Sequence, residues 1–241
     1  MLFFNRKKSL REAEFTPGFT DWHSHILPGV DDGVPSIEES LEILDRYAEM
    51  GVGKVWLTPH IMEDVPNAPD ALRARFAELK EAYSGPIELR LAAENMIDPL
   101  FEARLAAGEL LPIGEHADHL LVETSYINAP VHFRELIREI KRKGYFPILA
   151  HPERYRYMRE EDYLSLHGED VKFQINLFSL LGLYGPEAAR KADWLLRQGL
   201  ADIAGSDIHK ASMLRFFDAP LPGGKTLKAL KRLSHPINYP T

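Results

Sequence analysis

The side chains best suited to chemistry in this chain are imidazoles and carboxylates, and they recur where apolar runs end. Five stretches share this form: Asp21-Trp22-His23-Ser24-His25, Thr58-Pro59-His60, Ala93-Glu94, His151-Pro152-Glu153-Arg154 and Ser206-Asp207-Ile208-His209. Val122-Glu123-Thr124 makes a sixth. Borderline cations such as Zn²⁺ and Mn²⁺ take this mixture of ligands. His23 and His25 stand two apart, so on a strand both rings reach one face. Asp207 and His209 repeat the spacing with a carboxylate in front. Glu94 and Glu123 follow Leu-Ala-Ala and Leu-Leu-Val, where an unpaired carboxylate is costly to bury. A metal offsets that cost and lets one carboxylate bridge two ions. In the loop Asp31-Asp32-Gly33, one carboxylate is expected to reach a metal, with Gly33 permitting a sharp turn.

The expected ligand set is His23, His25, Asp32, His60, Glu94, Glu123, His151, Asp207 and His209. One ion needs about four to six ligands, so two or three divalent ions are expected. Such sites clamp a phosphate and activate water at neutral pH. Arg154 lies just past His151, where a guanidinium fork can hold phosphate oxygens. A phosphoester hydrolase follows as the expected chemistry. Glu153 is expected to be a supporting or surface residue. His116, His119, His132, His167 and His235 are expected to be structural or solvated.

Something must bring these ends together. Strand-like segments at 19–25, 54–60, 87–94, 119–125, 146–151, 171–177 and 200–206 alternate with helical patterns. Near-continuous apolar runs such as Lys54-Val55-Trp56-Leu57 suit strands covered on both faces. Ser36 with Glu39 three residues later suits a helix start, and Gly51 its end. Further helices are expected over 69–83, 98–107, 130–143, 160–167, 186–198 and 224–233, with Pro130 and Pro186 in first turns. Strict alternation implies a parallel sheet. Only a barrel lets every strand's C-terminal end share one mouth. The expected fold is therefore α/β, a single-domain distorted (β/α)7 barrel over residues 19–241, preceded by an N-terminal arm of residues 1–18. Its start, Met1 to Lys8, is expected to be flexible or surface-docked, with Phe3, Phe4 and the basic cluster after them able to touch a membrane or partner.

Composition narrows the chemistry further. The chain has 241 residues and no Cys, which removes thiolate sites and cysteine nucleophiles. The formal net charge is −7, so nucleic acid is not an expected partner. No apolar run approaches the ~20 residues that span a bilayer, and a cytoplasmic location is expected.

The motifs resemble those of the polymerase-and-histidinol-phosphatase (PHP) superfamily and, within it, the bacterial CpsB/YwqE-type tyrosine-protein phosphatases. The resemblance covers roughly residues 19–210. It rests on Asp21-x-His-x-His25, Asp31-Asp32-Gly33, Thr58-Pro59-His60, Ala93-Glu94, Val122-Glu123, His151-Pro-Glu-Arg154, Gln174-Ile-Asn176, Ser179-Leu-Leu-Gly182 and Ser206-Asp207-x-His209. It implies a trinuclear centre, usually active with Mn²⁺; the His/carboxylate mix itself accepts Mn, Fe, Zn or Co. His23, His25, Glu94 and Asp207 would hold one ion, and Glu94 would bridge to a second held with Glu123 and His151. Asp32, His60 and His209 would hold the third. Catalysis would involve Arg154, His151 and Asp207, with Arg154 and Arg215 binding substrate. The implied partner is a phosphotyrosyl protein, a bacterial tyrosine kinase tail, in capsule or exopolysaccharide synthesis. A Glu-Glu-x-x-Arg motif for ring assembly is absent from Glu38-Glu39-Ser40-Leu41-Glu42, which leaves the oligomeric state open. The competing expectations are a PHP phosphatase of a small phosphoester such as histidinol phosphate, a TatD-like nuclease or amidohydrolase, and a non-catalytic binding module.

Overall fold

The computed structural model describes residues 7–233 of the chain. All the expected strand segments form, but two are interrupted. The run at 54–60 becomes β2 (Lys54–Leu57) and β3 (His60–Ile61), and that at 87–94 becomes β4 (Glu88–Leu91) and β5 (Glu94–Met96). With β1 (Thr20–Ser24), β6 (His119–Glu123), β7 (Phe146–Ala150), β8 (Lys172–Asn176) and β9 (Ile203–Gly205), the described residues form nine short strands where seven are expected. Pro59 has no N–H to give the ladder, and the Ala93 N–H turns away to Leu111 O at 3.2 Å. Pairing resumes where Glu94 N donates to Pro59 O at 3.1 Å.

The strands form sheets in the orders β1-β2-β4 and β3-β5-β6-β7-β8-β9, and every pairing is parallel. The last strand returns to the first: Asp207 N donates to His23 O at 2.8 Å, and His25 N to Ile208 O at 3.0 Å. Side chains lock this seam. Asp21 Oδ1 accepts from Ser206 N at 2.7 Å, and Asp21 Oδ2 from Ser206 Oγ at 2.6 Å and Tyr47 Oη at 2.9 Å. All three residues are buried. A buried carboxylate that loses a donor costs about 1.5–3 kcal/mol. Tyr47→Phe should therefore lower the urea unfolding free energy by about that much; an unchanged midpoint would mean the seam does not depend on the hydroxyl.

Alternation along β6 puts Leu120 and Val122 in the large core beneath the helices. Leu121 joins a second, inner cluster with Trp22, Trp56, Ile113, Ile148 and Ile203. Trp22 and Trp56 stack at 5.9 Å between centroids. The inner cluster fills the space enclosed by the strands, so the polar side chains gather above it.

The helices follow the sequence closely. α1 (Ile37–Glu49) is capped by Ser36, whose Oγ accepts from Glu39 N at 3.3 Å. Glu39 does not reach back as a capping box would; it accepts from Ala211 N at 2.9 Å. α2 (Pro69–Ala82) and α3 (Pro99–Ala107) come next. α4 (Phe133–Arg142) starts later than expected, because His132 is left-handed at φ 61° and leaves Pro130 outside the first turn. α5 (Glu160–Gly168), α6 (Gly185–Gln198) and α7 (Gly224–Leu230) complete the set, with Pro186 in the first turn of α6. No helix among the described residues is long and apolar enough to cross a membrane.

Within the N-terminal arm, Lys7 and Lys8 are exposed, and several residues after them pack inward. Leu10, Ala13 and Phe15 are buried, Leu221 N donates to Lys8 O, and Arg11 N to Phe217 O. Phe3 and Phe4, like His235, lie outside the described residues.

Candidate metal centre

The first strand delivers two imidazoles through an irregularity. Pairing between β1 and β2 shifts between Asp21 and Ser24, where one more residue stands on β1 than on β2. Such bulges re-aim side chains. His23 Nδ1 meets Gln174 Oε1 at 2.9 Å and His25 Nδ1 meets Asp31 Oδ2 at 2.9 Å. With both Nδ1 atoms engaged, the Nε2 atoms face each other at 3.1 Å. An imidazole held this way presents its free nitrogen to a cation. Two glycines make room. A Cβ on Gly205 would lie 2.5 Å from His23 Cβ, and one on Gly33 2.4 Å from His25 O. Gly33 is thus required for close approach; its φ is not among the positive ones that a sharp turn would need.

Glu94 sits at the centre. Its Oε2 lies 3.1 Å from His23 Nε2, 3.3 Å from His25 Nε2 and 3.1 Å from His60 Nδ1. Its Oε1 lies 2.9 Å from His151 Nε2. Glu123 approaches His60 Nδ1 at 3.2 Å and His151 Nε2 at 3.8 Å. Asp207 Oδ1 is 3.3 Å from His25 Nε2, and 3.5 Å from both His23 Nε2 and His209 Nδ1. Asp32 Oδ1 is 3.5 Å from His60 Nε2 and from His209 Nε2. All nine expected residues therefore converge. They fall into four overlapping groups that could each hold an ion: His25, Asp32, His60 and His209; His23, His25 and Asp207; His23, Glu94 and His151; and His60, Glu94 and Glu123. His60 faces two of these groups, Nδ1 toward Glu94 and Glu123 and Nε2 toward Asp32, a sharing that the implied division into three ions lacks.

The donors fit cations. Glu94 Oε2 and His60 Nδ1 are buried without a hydrogen bond, although each lies close to the other. Buried polar atoms of this kind require a partner, and an ion between imidazole nitrogens and carboxylate oxygens supplies one. Charge points the same way. Burial pushes the His23 imidazole down, but the Glu94 and Asp207 carboxylates outweigh it and raise it to about 9. Burial pushes Asp207 up, and His23 and His25 more than reverse this, holding it well below the usual carboxylate range. The pocket thus demands positive charge. His151 and Asp207 adopt left-handed backbone, φ 31° and 54°. Non-glycine residues rarely do so, and strain of this kind collects at functional sites.

Arg154 follows His151 on a short 3₁₀ turn (Pro152–Arg154). Its Nη1 donates to Asp207 Oδ2 at 2.9 Å, and its guanidinium lies between the rings of Tyr126 and Tyr184, 4.4 and 4.1 Å from their centroids. Asn176 Nδ2 donates to the same Asp207 oxygen at 2.8 Å. Arg154, His60, Glu94, His151, Asp207 and His209 line one cavity of about 950 Å³. Arg215, exposed on the 3₁₀ segment Ala211–Asp218, lines it too, beside Lys210 and Phe216.

Glu153 is buried, not on the surface, and Oε1 accepts from Asn176 N at 3.0 Å and Ser179 Oγ at 2.7 Å while Oε2 has no partner. Burial lifts its carboxyl from 4.5 to about 7, with those hydrogen bonds and Arg154 pulling the other way. A raised carboxyl keeps its proton in the folded state after the unfolded chain has lost it. Its contribution to stability is complete below about 4.5 and disappears as pH rises through about 7, on the order of 3 kcal/mol. Glu153→Gln should therefore gain stability over the parent between pH 5 and 8, as read from urea midpoints. A constant difference across that range would contradict the assignment.

Among the remaining histidines, His119 is buried at the start of β6 beside Asp118, His132 precedes α4, and His167 faces Asp202; none joins the cluster. Sequence patterns do not reveal Asp31 as the partner of His25, because Asp31 and Asp32 look alike in a turn. Nor do they reveal Tyr126 and Tyr184, which lie in loops without periodicity.

Parallel strands whose carboxyl ends gather imidazoles and carboxylates around one cavity define an α/β protein with a candidate polynuclear metal centre. A family model described as "Capsular polysaccharide synthesis, CpsB/CapC" matches residues 19–215, and the chain belongs to that CpsB/CapC family. Tyrosine-protein phosphatase YwqE of Bacillus subtilis is 29% identical over 202 residues, 81% of this chain and 79% of the relative. CapC of Staphylococcus aureus is 30% identical over 215 residues, 87% of this chain and 84% of the relative. A solved structure from work on YwqE and on CpsB from Streptococcus pneumoniae, called metal-dependent tyrosine phosphatases, matches with a TM-score of 0.76 at 27% identity. It covers 88% of this chain and 86% of that one.

Proposed function

We propose that the protein is a metal-dependent phosphatase that hydrolyses phosphotyrosine. The observation that carries this is Arg154, fixed between two tyrosine rings and aimed over a cluster of nine imidazole and carboxylate ligands. We assign His23, His25, Glu94 and Asp207 to one ion, Glu94, Glu123 and His151 to a second, and Asp32 and His209 to a third, with His60 reaching both the second and the third. When bound, such ions polarise the phosphoryl oxygens and lower the pKa of water to the neutral range. The chain's own groups bind and orient. The Arg154 guanidinium receives the phosphoryl oxygens as a fork, Tyr126 and Tyr184 hold its plane, and Asn176 with Arg154 fixes Asp207. Arg215 and Lys210 add positive charge at the mouth. No side chain is required to bond to phosphorus.

Mn²⁺ suits this donor set, as do Fe, Zn and Co. A bacterial tyrosine kinase tail is the proposed protein substrate, with a role in capsule or exopolysaccharide synthesis in the cytoplasm. The family description supports the capsule role, and the relatives' names support a phosphotyrosyl protein as substrate. Joining β2 to β3 and β4 to β5 across their interruptions restores the count of a (β/α)7 barrel, and residues 19–241 are its proposed domain.

The test is phosphate release from a phosphotyrosyl peptide with Mn²⁺, against chelator-treated protein and His151→Ala. Metal-dependent release that the substitution abolishes supports the proposal. No release by metal-loaded protein, with histidinol phosphate turned over instead, would transfer the site to a small phosphoester.

A further inference from the structure

The catalytic cavity does not end at Arg154. A neighbouring cavity of about 370 Å³ shares Arg154 and Tyr184 with it and continues to Arg156 and Lys191. A third, about 360 Å³, shares Lys191 and continues to Arg159, Arg190 and Trp194. Adjoining at these shared residues, the three follow one another away from the site, along the 155–159 loop and α6, as a segmented trough.

Its charge is opposite to that of the chain. The protein carries a net −7, yet five cationic side chains line the two outer cavities. Against them stand Glu187, Glu160 and the buried Glu153. Lys191 lies 3.6 Å from Glu187 and Arg159 3.8 Å from Glu161. Arg156 and Arg190 are exposed and make no ion pair among the described residues. Trp194 and Met158 give the far end an apolar wall. A trough that is basic, partly apolar and continuous with a phosphoryl site fits an extended chain with carboxylates beside its phosphorylated residue. The chain's net charge of −7 repels such a ligand at long range, so a locally basic trough is where it would settle.

We propose that this trough docks an acidic peptide segment flanking the phosphotyrosine, and so selects which phosphotyrosines are processed. The proposal rests on the phosphotyrosine assignment above.

The test uses labelled peptides carrying a non-hydrolysable phosphonomethyl-phenylalanine, with either Glu/Asp or Ser/Gly flanks, titrated into metal-loaded protein and followed by anisotropy. The parent should bind the acidic peptide roughly tenfold more tightly at low salt, the effect of two or three exposed pairs, with the gap closing as salt rises. Arg156→Glu combined with Arg190→Glu should abolish the preference and leave circular dichroism and turnover of free phosphotyrosine unchanged. Equal binding of the two peptides, no binding of either, or a preference that survives charge reversal overturns the proposal. Equally tight capture of single-stranded DNA would also overturn it, because the trough would then select charge alone. Turnover of free phosphotyrosine by the parent reports on the activity separately, so failure of the docking proposal and failure of the phosphatase assignment give different results.

Discussion

Glu94→Gln should lower phosphate release from a phosphotyrosyl peptide by about three orders of magnitude and strip bound metal from the purified protein. The side chain keeps its size, so packing is preserved. What changes is chemistry: an acceptor-only carboxylate becomes an amide with one donor face. Glu94 places one oxygen near His23, His25 and His60 and the other near His151. Any ion there loses a formal charge and a ligand, and the amide must turn N–H groups toward at least one imidazole nitrogen. Metal ions contribute several kcal/mol to transition-state charge stabilisation, and each 1.36 kcal/mol is about tenfold in rate. Metal content by elemental analysis and release by a phosphate assay should fall together. Activity within tenfold of the parent, with full metal content, would remove Glu94 from the centre.

Arg154→Lys should act differently, reducing kcat/KM for free phosphotyrosine about 100-fold while metal content stays intact. The charge survives, but the fork and the flat surface do not. Arg154 is wedged between Tyr126 and Tyr184 and bonded to Asp207 Oδ2; an ammonium can keep the last contact and cannot stack. Loss of one preorganised donor to a developing oxyanion costs about 10²–10³. If Lys supports turnover within a few-fold, a point charge suffices and the guanidinium is not what grips the phosphoryl group.

Much of the candidate site was legible because most of its ligands follow apolar runs. Parallel strands with helical crossovers bring the ends of those runs to one side; Asp32 sits in a loop, and His60 and Glu94 open β3 and β5 just past the breaks after β2 and β4. The legibility stops where packing decides. Asp31 and Asp32 are adjacent and chemically equal; only the fold turns Asp31 to His25 Nδ1 and Asp32 toward His60 and His209. Glu39 carries a helix-start pattern but spends its carboxylate on Ala211 N, a residue far along the chain. Pro59 gave warning of a strand end, yet the ladder resumes beyond it. Leu10 and Phe15 are buried without any periodicity to announce it, in a segment that Lys8 and Arg11 tie by backbone hydrogen bonds to Leu221 and Phe217, far along the chain.

The seam between β9 and β1 also sets an order in time. Asp21 and Ser206, which close it, are 185 residues apart, and the group His23, His25 and Asp207 spans the same junction. During synthesis the two metal-seeking imidazoles emerge long before Asp207, the carboxylate that the seam brings to them. One edge of β1 must therefore wait for β9, whose arrival joins the seam and completes the group in a single step. Contacts this distant in sequence form slowly. A cation that joins β1 to β9 would then act as a clasp, fastening a late-made strand to an early-made one.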